Sequence, residues 1–448
     1  MLQLRTSSFV FTPTRPMPLA GYSRRQGVYE AVDHDLEAIF LLLSDGRGGE
    51  VVLGGVDTLF LTSRTLSDVR NELRGLPTPL CLFATHTHNA PSLAPELPLL
   101  GRHDPEWYRS FVLSCARTIG ETARSPGEMV APRFGERPTD LNVNRRKPSW
   151  VVDYSALARE RRVSVGRRIA LAANKRGTID RRVRAIFFEN SVGEVKAVVW
   201  TLAAHPAFYP ASHRVSPDFP GLIRQRLRQC FGNRCAVVYL PGFAGSAIPN
   251  VPPRFPVTWR RAAASFLPFY PTLRSFDSKG YRKWVDRLFS EILGAFEARD
   301  PQPQETCIRV DDATVPRIFR CRKDAFSTFS ERSDINLRIS RVTLAPGLDI
   351  LACNGEMLCE WTPLAQCVTG DTVLFSSYLA GTALYVPTSS QIPEGGYEVT
   401  GFQESFGIDG TFDPDISRLV LSTMAGLYKR EEMLAQDACR LGQPRRTG

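Results

Sequence analysis

No two cysteines stand at CxxC spacing, and no HExxH, GxxxxGK[ST] or GxSxG pattern occurs anywhere in the chain. A zinc ribbon, a thioredoxin-like dithiol, a zincin helix, a P-loop and a serine-hydrolase elbow are therefore excluded. The ten cysteines are scattered and are expected to be reduced, buried thiols that behave as small apolar side chains. Long hydrophobic runs are also lacking. The best candidates, over 38–43 and 51–62, are far shorter than the roughly 20 residues of a membrane helix, and Asp57 breaks the second. The amino terminus, MLQLRTSSFVFTPTRP, has no apolar core of the kind a signal peptide needs, so a cytoplasmic protein without a transmembrane segment is the expectation.

What is present begins with charge. The 448 residues hold 56 Lys+Arg against 46 Asp+Glu, a net charge of +10. The segment 145–184 alone contains thirteen of the basic residues and only three acids, so it accounts for the whole excess. The rest of the chain is neutral. A local cluster of this kind raises the concentration of anionic ligands around it. Nucleic acid is a poor fit, because no interleaved aromatic series or binding motif accompanies the run.

With 43% apolar residues the chain can bury a large core. Alternating or wholly apolar runs predict strands over 37–43, 50–56, 80–84, 183–189, 195–203, 236–240, 342–352 and 373–379. Helical spacing predicts helices over 66–73, 105–122, 220–230 and 281–298, the last with Trp284, Leu288, Ile292 and Phe296 on one stripe. Asp45-Gly46-Arg47-Gly48-Gly49 reads as a hairpin turn between the first two strands. The fold class is α/β, with mixed, largely buried sheets and flanking helices. Residues 250–278 combine five prolines with six aromatics and read as a long ordered loop, a candidate lid or core-edge packing.

Only six histidines occur, yet His86 and His88 stand two apart directly after the strand 80–84. In extended chain such residues share a face, so both imidazoles would project from a strand end, where α/β sheets place ligands. The His-x-His-x-Asp-His metal pattern fails, since Ala90 and Pro91 follow Asn89. His205 again ends a β run, in Ala204-His205-Pro206, and Glu356 follows the apolar run 350–353. Glu356 reads equally well as a ligand carboxylate or as an acid in the first turn of a helix.

Further motifs lie in order along the chain. Phe11-Thr12-Pro13 and Pro18-Leu19-Ala20-Gly21-Tyr22 precede Thr85-His86-Thr87-His88, then Asn144-Arg145-Arg146, Ala204-His205-Pro206 and Asp218-Phe219-Pro220-Gly221. Gly355-Glu356 follows, and Gly395-Gly396-Tyr397-Glu398 stands twelve residues beyond Tyr385. From Phe9 to Phe402 this ordered set resembles the neutral (non-lysosomal) ceramidases, specifically their zinc-bearing amino-terminal catalytic domain. The resemblance implies that fold and a Zn2+ cofactor held by His86, His205, Glu356 and Tyr385. His88, Arg145 and Tyr397 would then line the scissile amide, with His88 as general acid and base and the other two as oxyanion donors. It also implies one catalytic domain, over 1–441, while the tail at 442–448 is expected to be disordered; as a departure from the family, its carboxyl-terminal immunoglobulin-like domain is expected to be missing, since few residues follow Phe402. The family's proposed serine nucleophile is replaced by Ile248, with Ser246 nearby.

The expected activity is zinc-dependent hydrolysis of a small-molecule N-acyl amide, with the basic segment suggesting an anionic or carrier-bound substrate. An amide-forming or acyl-transfer enzyme on the same site, or a non-catalytic binding protein on this scaffold, is the alternative.

Overall fold

The computed structural model describes residues 1–153, 164–252, 273–322, 334–370 and 372–441. Eight strands form a central mixed sheet, in the spatial order Ala236–Tyr239, Val195–Thr201, Arg182–Asn190, Glu128–Pro138, Leu2–Val10, Glu37–Ser44, Glu50–Val56 and Leu80–Ala84. The pair at each edge is parallel and the inner neighbours are antiparallel.

Period-two alternation decides what each face meets. Ile39, Leu41 and Leu43 pack with Val342, Leu344, Ile350 and Leu374 of a five-stranded sheet. Ala38, Phe40 and Leu42 face the other way, onto Phe111, Val112 and Ile119 of the helix Pro105–Arg124. That helix starts at Asp104, whose carboxylate accepts from the Trp107 N–H, with Pro105 at the first position. Helices Asp218–Phe231 and Ser278–Glu297 cover the far end of the same face, around Phe187 and Trp200, through Phe219, Leu227, Trp284 and Leu288.

The five-stranded sheet runs in the order Val373–Ser376, Leu348–Cys353, Ile335–Ala345, Arg309–Cys321 and Gly410–Phe412. Its outer face, with Leu337, Ile339 and Leu351, is covered by Trp361 and Ala365 of Trp361–Thr369 and by Val420 and Met424 of Ile416–Leu441. The layers are thus helix, sheet, sheet, helix, an α/β arrangement of largely buried mixed sheets. An isolated bridge between Phe83 and Leu379 ties the two sheets together beside His86.

The glycine cluster turns the hairpin between Glu37–Ser44 and Glu50–Val56, with Gly46 and Gly48 at positive φ and Asp45 Oδ1 accepting from the N–H groups of Arg47 and Gly49. The run over 342–352 is two strands rather than one. Pro346 cannot donate to a ladder and Gly347 adopts φ +78, so the chain folds back between Ile335–Ala345 and Leu348–Cys353.

The basic segment is built of strands: Asn142–Asp153 and Ser164–Asn174 pair as an antiparallel hairpin. Several of its cations are neutralised by acids. Arg145 and Arg146 meet Glu398 and Glu394, and Arg182 and Arg184 meet Asp180 and Glu136. Arg159, Arg161 and Arg162 lie outside the described residues, as do most of the aromatic loop and the tail 442–448. Among the described residues no helix is long and apolar enough to cross a membrane.

Candidate metal centre

The segment after Leu80–Ala84 does not stay extended. His86 has φ +65, a left-handed conformation that costs a non-glycine residue roughly 1–3 kcal/mol and is concentrated at functional sites. Its N–H donates to the Thr58 carbonyl at 2.9 Å. The imidazoles of His86 and His88 still converge, with ring centroids 5.0 Å apart, but the turn at His86 brings them together rather than strand alternation. His205 stands beyond the end of Val195–Thr201, where its N–H donates to Ala247 at 3.1 Å.

Both rings are aimed by their Nδ1 atoms. His86 Nδ1 lies 3.0 Å from the Leu59 carbonyl, and His205 Nδ1 lies 2.8 Å from that of Ala244. A carbonyl only accepts, so each Nδ1 carries the proton and each Nε2 presents its lone pair to the site.

Glu356 is not in a helix; the helix begins only at Trp361. It belongs to the short strand Glu356–Met357, which pairs in parallel with Tyr385–Val386, Glu356 opposite Tyr385. Glu356 Oε2 lies 3.6 Å from His86 Nε2 and 3.4 Å from His205 Nε2, and the Tyr385 hydroxyl lies 3.4 Å from His205 Nε2. A tetrahedral zinc ion with bonds of about 2.0–2.2 Å sets its ligand atoms about 3.3–3.6 Å apart, and the three separations match that edge. All four side chains are at most 4% exposed. The buried Nε2 of His86 has no hydrogen-bond partner among the described residues.

Electrostatics agree with that fit. Desolvation pushes both His86 and His205 down to about 3, so the rings are neutral and able to ligate. Burial pushes Glu356 up and the Tyr385 phenol well up. A cation among these donors reverses both tendencies by favouring carboxylate and phenolate. His86, His88 and His205 also place ring nitrogens within 4.8 Å of one another, so a three-histidine set can hold a metal ion as well.

Around this centre, the structure also gathers His88, Arg145 and Tyr397. His88 is half-buried, both of its ring nitrogens lack protein partners among the described residues, and its pKa is held well below the ordinary histidine value by burial first and by His86 and His205 next. Gly21, at φ +106, is packed against it: a Cβ there would lie 2.4 Å from His88 Nδ1. Arg145 donates from NH2 to the Tyr385 hydroxyl at 3.1 Å, and its guanidinium carbon is 5.7 and 5.8 Å from the rings of Tyr385 and Tyr397. Burial opposes its charge, but Tyr385 and Glu398 outweigh that and hold it protonated.

Two residues the sequence reading did not single out complete the site. Tyr378, at φ +58, stacks on His86 with centroids 4.1 Å apart and donates to Glu356 Oε2 at 3.0 Å. No motif marks it. Glu398, fully buried, accepts from Arg145 Nε at 2.7 Å and from Arg146 NH1 at 3.0 Å. A bulge in the hairpin between Asn144 and Arg146 lets these consecutive arginines reach one carboxylate. Its only sequence signal was its place directly after Tyr397, in a π-helical turn over Tyr397–Gly401 of a kind common at functional sites. Ser246 is committed elsewhere: its hydroxyl donates to Glu360 at 2.7 Å and accepts from the Cys359 N–H at 2.9 Å.

No protein-family model and no curated protein matches the sequence. Solved structures do. The chain superposes on a neutral ceramidase from Pseudomonas aeruginosa with a TM-score of 0.69 at 14% identity, covering 96% of this chain and 75% of that one. A ceramidase solved in complex with C2 gives a TM-score of 0.68 at 13% identity over the same shares. The chain therefore has the neutral ceramidase fold.

Proposed function

We propose that the protein is a zinc-dependent amidohydrolase of the neutral ceramidase type, one catalytic domain over 1–441, acting on an N-acyl amide in the cytoplasm. One observation carries this reading: His86, His205, Glu356 and Tyr385 meet at separations of 3.4–3.6 Å with both histidine Nδ1 atoms already committed to carbonyls. When bound, zinc supplies a Lewis acid that polarises the amide oxygen and lowers the pKa of water toward about 7.

The chain's own residues supply the rest. His88 enters the reaction neutral, because burial disfavours its protonated form, so a ring nitrogen takes the proton of the attacking water. It returns that proton to the amine nitrogen as the C–N bond breaks. Arg145, held protonated, and the Tyr397 hydroxyl donate to the oxygen that gains charge at the tetrahedral carbon. Glu398 keeps Arg145 in place, and the low exposure of the site strengthens each of these interactions.

The test is a panel of N-acyl amides, ceramides among them, incubated with protein as purified, after chelation, and after return of zinc. Hydrolysis that disappears with chelation and returns with zinc supports the reading. A protein that cleaves no amide in any of the three states overturns it.

A further inference from the structure

An anionic substrate would find the inner arginines of the hairpin within 145–184 already paired with acids, whereas the segment Gly21–Arg25 carries an arginine that is not. Arg25 is half-buried over the site. Its NH1 donates to the His88 carbonyl at 2.8 Å and to the Ala20 carbonyl at 3.3 Å. Its guanidinium carbon lies 4.6 Å above the Tyr22 ring, and that ring is 4.8 Å from the His88 imidazole. In the same segment, Ser23 Oγ is 3.5 Å from Ser405 Oγ, just past the Tyr397 turn. The guanidinium therefore sits beside the backbone of the proposed base, over the tyrosine ring that touches its imidazole.

Its NH2 is buried and has no hydrogen-bond partner, and no acidic side chain pairs with Arg25 among the described residues. Arg145 and Arg146, by contrast, are each closed by carboxylates. A buried unpartnered nitrogen on a guanidinium bonded to the His88 backbone, together with the two unpartnered ring nitrogens of His88, marks a place where a ligand belongs, because such groups are otherwise satisfied. With Nη1 committed to carbonyls, the unmet Nη2 belongs to a cation suited to carboxylate or phosphate oxygens.

We propose that Arg25 is a specificity-determining residue that binds an anionic oxygen group of the substrate close to the scissile amide, so that the preferred substrates are N-acyl amides whose amine half carries a carboxylate or a phosphate. This rests on the amidohydrolase reading above. A neutral sphingoid or ethanolamine amine half leaves the guanidinium nitrogen unmet, and the same acyl chain on an amino acid or a phosphorylated amino alcohol meets it.

The experiment compares N-lauroylglycine with its methyl ester, and N-lauroylethanolamine phosphate with N-lauroylethanolamine, on wild type, Arg25→Gln and Arg25→Lys. The readout is the ratio of kcat/KM within each charged–neutral pair, which a merely structural role of Arg25 leaves unchanged. Wild type is expected to favour one charged member by about tenfold or more, the size of a hydrogen bond to a charged group. Arg25→Gln brings that ratio close to one, and Arg25→Lys, which keeps the charge without the fork, falls between. Which pair responds identifies the carboxylate or the phosphate.

A wild-type ratio at or below one in both pairs overturns the proposal, and so does a ratio untouched in Arg25→Gln. If wild type cleaves neutral amides in a zinc-dependent way while the ratios do not move, the specificity proposal fails and the amidohydrolase reading stands. If nothing is cleaved, calorimetric binding of the same four compounds decides: tighter binding of a charged member that Arg25→Gln abolishes supports the anion site, and equal binding overturns it.

Discussion

Glu356 and Tyr385 are direct partners in a two-residue parallel bridge, with the Glu356 N–H donating to Leu384 at 2.9 Å and the Leu358 N–H to Val386 at 3.4 Å. Two acidic side chains from separate short strands thus leave adjacent backbones side by side, and a third residue, Tyr378, donates to Glu356 from beside His86. Their register is set by the backbone before any ligand arrives. What remains disfavoured is their ionisation, because burial pushes both groups up. A cation bound between them would favour both ionised forms.

Glu398→Gln tests how Arg145 is held. The carboxylate joins two guanidiniums at zero exposure, and removing one partner of a buried ion pair costs about 3–5 kcal/mol. Arg146 keeps Glu394 and the Gly395 carbonyl, so a loss near the low end, about 3 kcal/mol, is expected in denaturant unfolding. Activity is expected to fall through kcat more than KM, since Arg145 acts on charge that develops during the reaction. A variant with wild-type stability and kcat contradicts this.

Gly21→Ala tests the placement of His88. The added Cβ would lie 2.4 Å from Nδ1, and φ +106 is strained for any side chain, so the imidazole must move. A displacement near 1 Å at a catalytic group costs about 10²-fold in rate. Metal content is expected to stay at the wild-type level, because the four proposed ligands do not touch Gly21. Full activity in this variant would remove His88 from the role of base.

Asp218 gives a pH signature of stability. Burial pushes its carboxyl from 3.8 up to about 6, although the Tyr281 hydroxyl and the N–H groups of Phe208 and Phe219 donate to it. The folded protein therefore binds this proton more tightly than the unfolded chain. The resulting stabilisation is fully present below pH 3.8 and is lost as pH rises through about 6, a difference of about 3 kcal/mol. Asp218→Asn removes the titration. Unfolding free energies measured at pH 4.5 and 7 should show the wild-type advantage over the variant shrinking at the higher pH; an advantage that grows contradicts the assignment.

Much of this was legible in the sequence, and for physical reasons. Runs buried on both faces, such as Glu37–Ser44 and Leu80–Ala84, announce themselves by composition. Leu2–Val10 did not, because only Leu2 and Leu4 of LQLRTSSFV are buried and its polar middle, Arg5 to Ser8, hides the period. The hairpin Asn142–Asp153 with Ser164–Asn174 was masked by its charge, which read as a patch rather than as strands. The ordered motifs name seven residues that lie near one another in the fold, but strand alternation does not pair His86 with His88, since a left-handed turn is invisible to a periodicity argument. Tyr378 was illegible for the same reason: its role comes from a positive φ and from the bridge that its neighbour Leu379 makes to Phe83, both products of tertiary packing.

The most direct measurement is the metal content of the purified protein and of four single variants, by mass spectrometry of the dissolved ion. One zinc per chain is expected in wild type and in His88→Ala, and loss or at least about tenfold weaker retention in His86→Ala, Glu356→Gln and Tyr385→Phe. Zinc that survives in Glu356→Gln and Tyr385→Phe but is lost in His88→Ala would instead assign the metal to the three histidines, and a wild-type protein that retains no zinc would contradict the account altogether.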